Sequence, residues 1–237
     1  MNNRLHSGCL NLVTVLCFTC TLLAEDDQRE SKQPRRAPRV FITTDIGIND
    51  PDDDQSVCHL LHYANALDLE GIVPDLVVLR DNQNARSRLN DVIDAYQRDY
   101  QNPDYRFQES GHPTPEEIRS LVRWTFEDAV QGLIEAASDN EKGPLYVLVW
   151  GRMHVVGKAL EREPEIASNI RLLTIATNLK ANRSWGNEKG DGKERNWNWS
   201  SERDAVFNAH PRLWWIESDW TYSGMFPAPS DNNDQFG

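Results

Sequence analysis

Cysteine is scarce where it could matter. Of four cysteines in 237 residues, Cys9, Cys17 and Cys20 fall in the first 24 positions and Cys58 stands alone after them. A single cysteine cannot close an internal disulfide, so packing has to hold the fold. Positive charge is scarce too: 25 Lys and Arg face 37 Asp and Glu, for a net charge of −12. The first 24 residues carry one arginine and no acid, so the remainder sums to −13. Such a surface repels phosphate backbones, which excludes nucleic acid as a partner. No internal repeat occurs, and no nucleophilic Ser or Cys arrangement is legible. What is present is a hydrophobic fraction of 39%, enough to build the core of one large α/β domain or two small ones.

Residues 1–24 pair Arg4 with an apolar stretch, Cys9 to Ala24, that stops abruptly at Glu25-Asp26-Asp27. That is the layout of a secretory signal peptide, and it predicts an exported protein, periplasmic or extracellular. An uncleaved anchor is the other reading, although the stretch is short for a membrane span. Residues 25–38 are polar and Pro-containing without periodicity, the composition of a disordered linker.

From residue 39 onward, strands and helices alternate. Val40 to Thr44 reads as a buried strand, and Val57, Leu60, Leu61 and Ala64 give a helix over about 53–66. Leu69 to Val73 is a second strand, and Leu89, Val92, Ile93 and Tyr96 mark the next helix. Thr114 and Pro115 open another as N-cap and first helical residue, with helical periodicity running on, continuous or broken, to Ala137. Leu145 to Trp150 is the clearest strand, followed by a helix through Val155, Val156, Ala159 and Leu160. A strand over 170–177, a helix from Ser201 to about His210 and a strand over 213–217 complete the order. Residues 227–237 read as a frayed tail. The expected fold class is α/β, Rossmann-like, with a mostly parallel sheet and helices on both faces. Ligands gather at the carboxyl ends of such strands, here Asp45, Trp150-Gly151, Thr177-Asn178 and Ser218-Asp219.

The stretch from Thr43 to Ser56 carries the densest chemistry. Asp45, Asp50, Asp52, Asp53 and Asp54 put five carboxylates within ten residues. Capping of the following helix would use two or three of them. Five repel one another unless a cation sits among them, which points to a hard-metal site. Both readings stand at this point.

The same stretch resembles the metal-binding signature of the nucleoside hydrolases, Asp-x-Asp-x-x-x-Asp-Asp at the end of the first strand. It is closer to the variant in the nucleoside-hydrolase-like domain of a cellulose-binding-protein family. Thr43, Thr44, Asp45, Ile46, Gly47, Asp50, Pro51, Asp52, Asp53, Gln55 and Ser56 match. One extra residue around Ile48-Asn49 departs from that variant, and Thr43 stands where the wider superfamily has its first Asp. Val147 to Gly151 resembles the strand whose last carbonyl completes a calcium shell, and Arg195 to Asn198 resembles the Asn and aromatic signature that holds sugar hydroxyls.

The resemblance implies Ca2+, with Asp45, Asp50, Asp53 and the Trp150 carbonyl as ligands and Asp45 as catalytic base. It implies Asp52, Asn187, Asn196, Trp197 and Asn198 on the sugar, with Asp219 as a substitute contact. Tryptophans at 185, 197, 199, 214, 215 and 220 suit stacking on sugar faces as well as core. His154 is the best-placed histidine, and Glu188, Glu194 and Glu202 read as exposed acids. The expected activity is hydrolysis of an N-glycosidic or related bond by calcium-activated water. The rival from another class is a non-catalytic module binding sugar or plant polysaccharide, its metal structural or vestigial; a vestigial scaffold is the third. The late His-Asp pair of the nucleoside hydrolases is missing after Asn208. The expected domain, residues 39–226, is short against that family, as a C-terminally truncated member would be.

Overall fold

The computed structural model describes residues 36–47, 51–175 and 200–218. The leader, most of the linker and the tail lie outside them. Five parallel strands, β1 (Arg39–Thr44), β2 (Asp68–Pro74), β3 (Leu145–Val149), β4 (Ile170–Ile175) and β5 (Trp214–Ser218), form one sheet in the order β2-β1-β3-β4-β5. The chain leaves β1 for β2 on one side and then crosses to β3 on the other. The switch point of the sheet therefore lies at β1, where open α/β sheets bind ligands.

Side-chain alternation on the strands feeds two cores. Phe41, Val73, Val147 and Val149 face α5 (Phe126–Ser138), α6 (His154–Arg162) and α7 (Ser200–Ala209). Val40, Ile42 and Ile72 face α1 (Asp52–His62), α3 (Gln83–Gln101) and α4 (Pro115–Leu121). Among the described residues no helix is long and apolar enough to cross a membrane.

Local chemistry sets the element ends. Asn82 caps α3 by accepting the Ala85 N–H at 3.0 Å. Thr114 and Glu117 form a reciprocal capping box around Pro115, with the Thr114 N–H donating to the Glu117 carboxylate at 2.7 Å. The helical run expected as far as Ala137 breaks at residues 122–125. There Val122 bridges to Ile72, and the Arg123 N–H donates to the Ile72 carbonyl at 2.9 Å. The first helix stops at His62, and Ala64–Ala66 is a separate 3-10 turn. A short helix that periodicity did not suggest, α2 (Asp75–Arg80), follows β2 directly.

β2 carries a bulge. Val40 pairs with Leu69 and Phe41 with Gly71, so Glu70 is an extra residue. The Glu70 carboxylate accepts from the buried Arg39 guanidinium at 2.5 Å. That guanidinium also donates to the Ala136 carbonyl at 2.6 Å and the Gly143 carbonyl at 2.9 Å, which satisfies a charge at the floor of the sheet. Gly71 leaves room for Phe41: a Cβ there would lie 2.3 Å from the ring. Gly71→Ala is therefore expected to cost about 1–3 kcal/mol through overpacking, measured by urea denaturation against wild type.

Candidate functional site

Register brings three strand ends together. Thr44 pairs with Pro74 and Thr43 with Val149, so Asp45 emerges between Asp75 on one side and Gly151 on the other. The Trp150 N–H donates to the Thr43 carbonyl at 2.9 Å and continues the β1–β3 ladder past the last paired residues. Only glycine fits next. A Cβ on Gly151 would lie 2.5 Å from Asp75 Oδ2 and 2.9 Å from both the Asp45 Cβ and backbone nitrogen. Asp75 is fully buried and accepts the Arg152 N–H through Oδ2 at 2.6 Å. Its Oδ1, like the buried Thr43 hydroxyl, has no hydrogen-bond partner among the described residues.

The first turn of α1 sorts its acids into different jobs. Asp52 Oδ1 accepts the Asp53 N–H at 3.0 Å, which satisfies one of the free amides of the helix start. Asp54 accepts from Arg88 of α3 at 2.8 Å, a tie between two helices. Asp53 is buried and takes a hydrogen bond of 2.7 Å from the Thr44 hydroxyl, which in turn accepts the Ile46 N–H at 3.2 Å. Its carboxyl also meets that of Asp45 at hydrogen-bonding range. Burial first, and that neighbouring carboxyl second, push Asp53 far above the usual carboxylate range, against the opposing Thr44 hydroxyl. Burial likewise pushes Asp75 up, outweighing the Arg152 N–H.

The remaining expected residues divide. Trp150 is half-buried, with its side chain against the α1/α3/α4 core. Asp50, Asn187, Asn196, Trp197, Asn198 and Asp219 lie outside the described residues. Trp214 is exposed, whereas Trp215 is half-buried and donates its indole N–H to Thr174 at 2.9 Å. Cys58 is half-buried rather than core, and His59 and His62 are exposed. Glu202 is half-buried, not exposed as expected: it packs at the β3–α6 turn, 2.7 Å from His154. Asp75 and Arg152 went unread as site residues. The signal for Asp75 was an acid set directly after an apolar strand, Gly71 to Pro74, at the carboxyl edge.

Two carboxyls in contact and a nearby buried carboxylate oxygen without a hydrogen-bond partner among the described residues are hard donors of the kind a cation such as calcium takes. Among the described residues, no three Asp, Glu, His or Cys side chains converge as a ready-made ligand set. Asp45 and Asp53 would hold such an ion as side-chain donors.

The family of the cellulose-binding Sde182, nucleoside hydrolase-like domain matches residues 39–226. The chain belongs to this family. Its fold is similar to a nucleoside hydrolase-related hypothetical protein from Saccharophagus degradans that is associated with carbohydrate metabolism. That likeness has 21% identity and a TM-score of 0.55, over 74% of this chain and 42% of the other. It is also similar to an inosine-uridine preferring nucleoside hydrolase from Bacillus anthracis, at 20% identity and a TM-score of 0.51, over 80% of this chain and 67% of that one. The chain thus spans less than half the length of the first relative. At these identities the likeness establishes a shared fold. No curated protein sequence matches the chain.

A pH effect follows from the buried acids. Asp53 binds its proton more tightly folded than unfolded, so its contribution to stability is complete below the ordinary value of 3.8 and is lost as pH rises. In EDTA, Asp53→Asn should therefore gain stability over wild type progressively from pH 5 to pH 8, read by denaturant melts. A constant difference across that range would mean that its buried setting does not hold the Asp53 proton.

Proposed function

We propose that this domain binds a sugar or nucleoside-like ligand at the carboxyl edge of β1 and β3 and hydrolyses its N-glycosidic or related glycosidic bond. The observation that carries the reading is the contact between the carboxyls of half-buried Asp45 and buried Asp53, close to an Asp75 oxygen that has no hydrogen-bond partner among the described residues. Two such groups side by side cannot both ionise without a counter-charge. Calcium is the proposed occupant, with Asp45, Asp50, Asp53 and the Trp150 carbonyl as its donors; when bound, it supplies a Lewis acid that lowers the proton affinity of water.

The chain's own residues do the rest. Asp45, at the tip of the central strand, takes the proton from the attacking water. The Thr44 hydroxyl fixes Asp53 in line with it. Gly151 keeps the β3 backbone close enough to wall the site from one side. Asp52, Asn187, Asn196, Trp197, Asn198 and Asp219 are proposed to hold the sugar. Family membership and the shared fold support a carbohydrate-type ligand. The layout of residues 1–24 supports export, where free calcium is abundant.

A second reading, a non-catalytic sugar-binding module, is favoured by one observation: Thr43 stands where the superfamily has a carboxylate, and its hydroxyl is buried without a hydrogen-bond partner among the described residues. Calcium calorimetry followed by sugar-release assays on inosine, uridine and plant-type oligosaccharides separates the two. Calcium at 100 times its dissociation constant should stabilise the chain by about 2.7 kcal/mol, and sugar release should be calcium-dependent. Asp45→Ala should abolish both. Sugar binding without release would leave the module; binding of neither calcium nor sugar would end both readings.

A further inference from the structure

The short helix α2 ends at Arg80, Asp81 closes it in the left-handed region, and Asn82 then caps α3. The last turns of α2, Arg86 of α3 and the start of α5 thereby enclose an open pocket of about 430 Å³, within the size range of small-molecule sites. One wall is aromatic, from half-buried Trp124 and Phe126. The donors around it come from Arg80, Arg86 and Thr125. The Arg86 guanidinium lies 4.6 Å above the Trp124 ring, a stack that holds its planar fork in one orientation. Arg80 is exposed, and among the described residues its side chain has neither a hydrogen bond nor an ion pair.

The acids nearby do not use up this charge. Asp81 approaches Arg86 only to 3.6 Å and is 77% exposed; its carboxylate accepts from Gln83 at 3.0 Å instead. Glu127, in the first turn of α5, is taken by Arg162 at 2.6 and 2.8 Å. Asp128 faces Arg123 at 3.5 Å. Among the described residues lining the pocket, Asp81 is thus the one acid against two arginines, in a chain whose net charge is −12. The pocket also adjoins the strand edge. α2 starts at Asp75, and five helical steps carry the chain roughly 7.5 Å to Arg80. Burial first, then the charges of Arg152 and Arg80, hold the His154 imidazole below its ordinary value, so the Arg80 guanidinium is felt just past Gly151.

We propose that this pocket is a subsite for an acidic sugar residue, a uronate, with its carboxylate on Arg80 and Arg86 and its carbon face against the Trp124–Phe126 wall. A guanidinium fork matches the two oxygens of a carboxylate, and the C–H face of a sugar packs on aromatic surface. Thr125 Oγ1 already accepts the Asp128 N–H at 3.2 Å, which leaves its hydroxyl proton to donate to a sugar oxygen. Free phosphate offers similar anionic oxygens but no ring to cover the aromatic wall, so the wall selects the sugar acid. That a sugar bears the charge rests on the glycoside reading above; the two arginines stand independently of it.

The test is an NMR titration of the full chain, followed on the tryptophan indole N–H signals, with methyl glucuronoside, its uncharged methyl ester and inorganic phosphate as probes. Methyl glucuronoside should shift the Trp124 signal and bind about 10–100-fold more tightly than the ester. High salt should remove that preference, as should Arg80→Gln and Arg86→Gln. Arg86→Gln also removes the stack on Trp124, whereas Arg80→Gln breaks no contact among the described residues and serves as the variant that keeps the fold. Equal affinity for acid and ester, or a preference that survives both substitutions, would overturn the subsite. Phosphate binding as tightly as the glucuronoside would overturn the sugar assignment. Cleavage of inosine by the wild-type chain is scored separately. Cleavage without the acid preference would overturn the subsite alone, and the acid preference without any cleavage or neutral-sugar binding would uphold the subsite while the parent reading falls.

Discussion

The buried carboxylate of Asp75 is the constraint on which the sheet edge depends. One oxygen accepts from the Arg152 amide at the start of the β3–α6 turn, and the other is buried with no hydrogen-bond partner among the described residues. Burying a carboxyl costs several kcal/mol unless it is paired or protonated, so the surrounding structure has to repay it. Repayment comes from geometry. β2, β1 and β3 end at the same level, Gly151 removes the side chain that would collide with Asp75 and Asp45, and the turn is fastened across the central strand. Such a buried, half-satisfied group is tolerated where function requires it more often than where stability alone is at stake.

The same edge separates structural charge from working charge. Asp54 is neutralised by Arg88 and ties α1 to α3, and Asp52 serves a backbone amide of its own helix. Neither duty needs a bound cation, and together they account for two of the five clustered acids. Among the described residues, Asp45 and Asp53 pair with no basic side chain and meet each other instead. The acidic run thus divides between residues tied up within the fold and the Asp45–Asp53 pair, where a cation is proposed.

Much of the architecture was legible because its signals are local. β-branched runs such as Val147 to Val149, the Thr114-Pro115 helix start and the 3.6-residue spacing of Leu89, Val92, Ile93 and Tyr96 each depend on a few neighbouring residues. The place of the break, at Val122, was not legible, because a long-range bridge to Ile72 sets it. Nor was α2, six residues with no polar face to set a period. In the site, the Asp45–Asp53 pair could be read from one motif. Asp75 and Glu202 could not, since each acquires its meaning from strands or helices many residues away. Glu202 in particular looks like any solvent-facing acid until α7 is packed against α6.

The extra residue at Glu70 reaches further than its local pairing suggests. Leu69 packs toward the core of α1 and α3, yet Gly71, two positions on, already faces Phe41 and the opposite core. The insertion inverts the odd–even phase of everything after it in β2, and that inversion is why Val73 and then Asp75 turn toward the α5/α6 layer. With an uninterrupted strand, Pro74 would occupy the place beside Asp45, and a ring with neither a donor nor a charge would stand at the switch point. A backbone irregularity near the floor of the sheet thereby dictates which residue type arrives at its rim, five positions downstream.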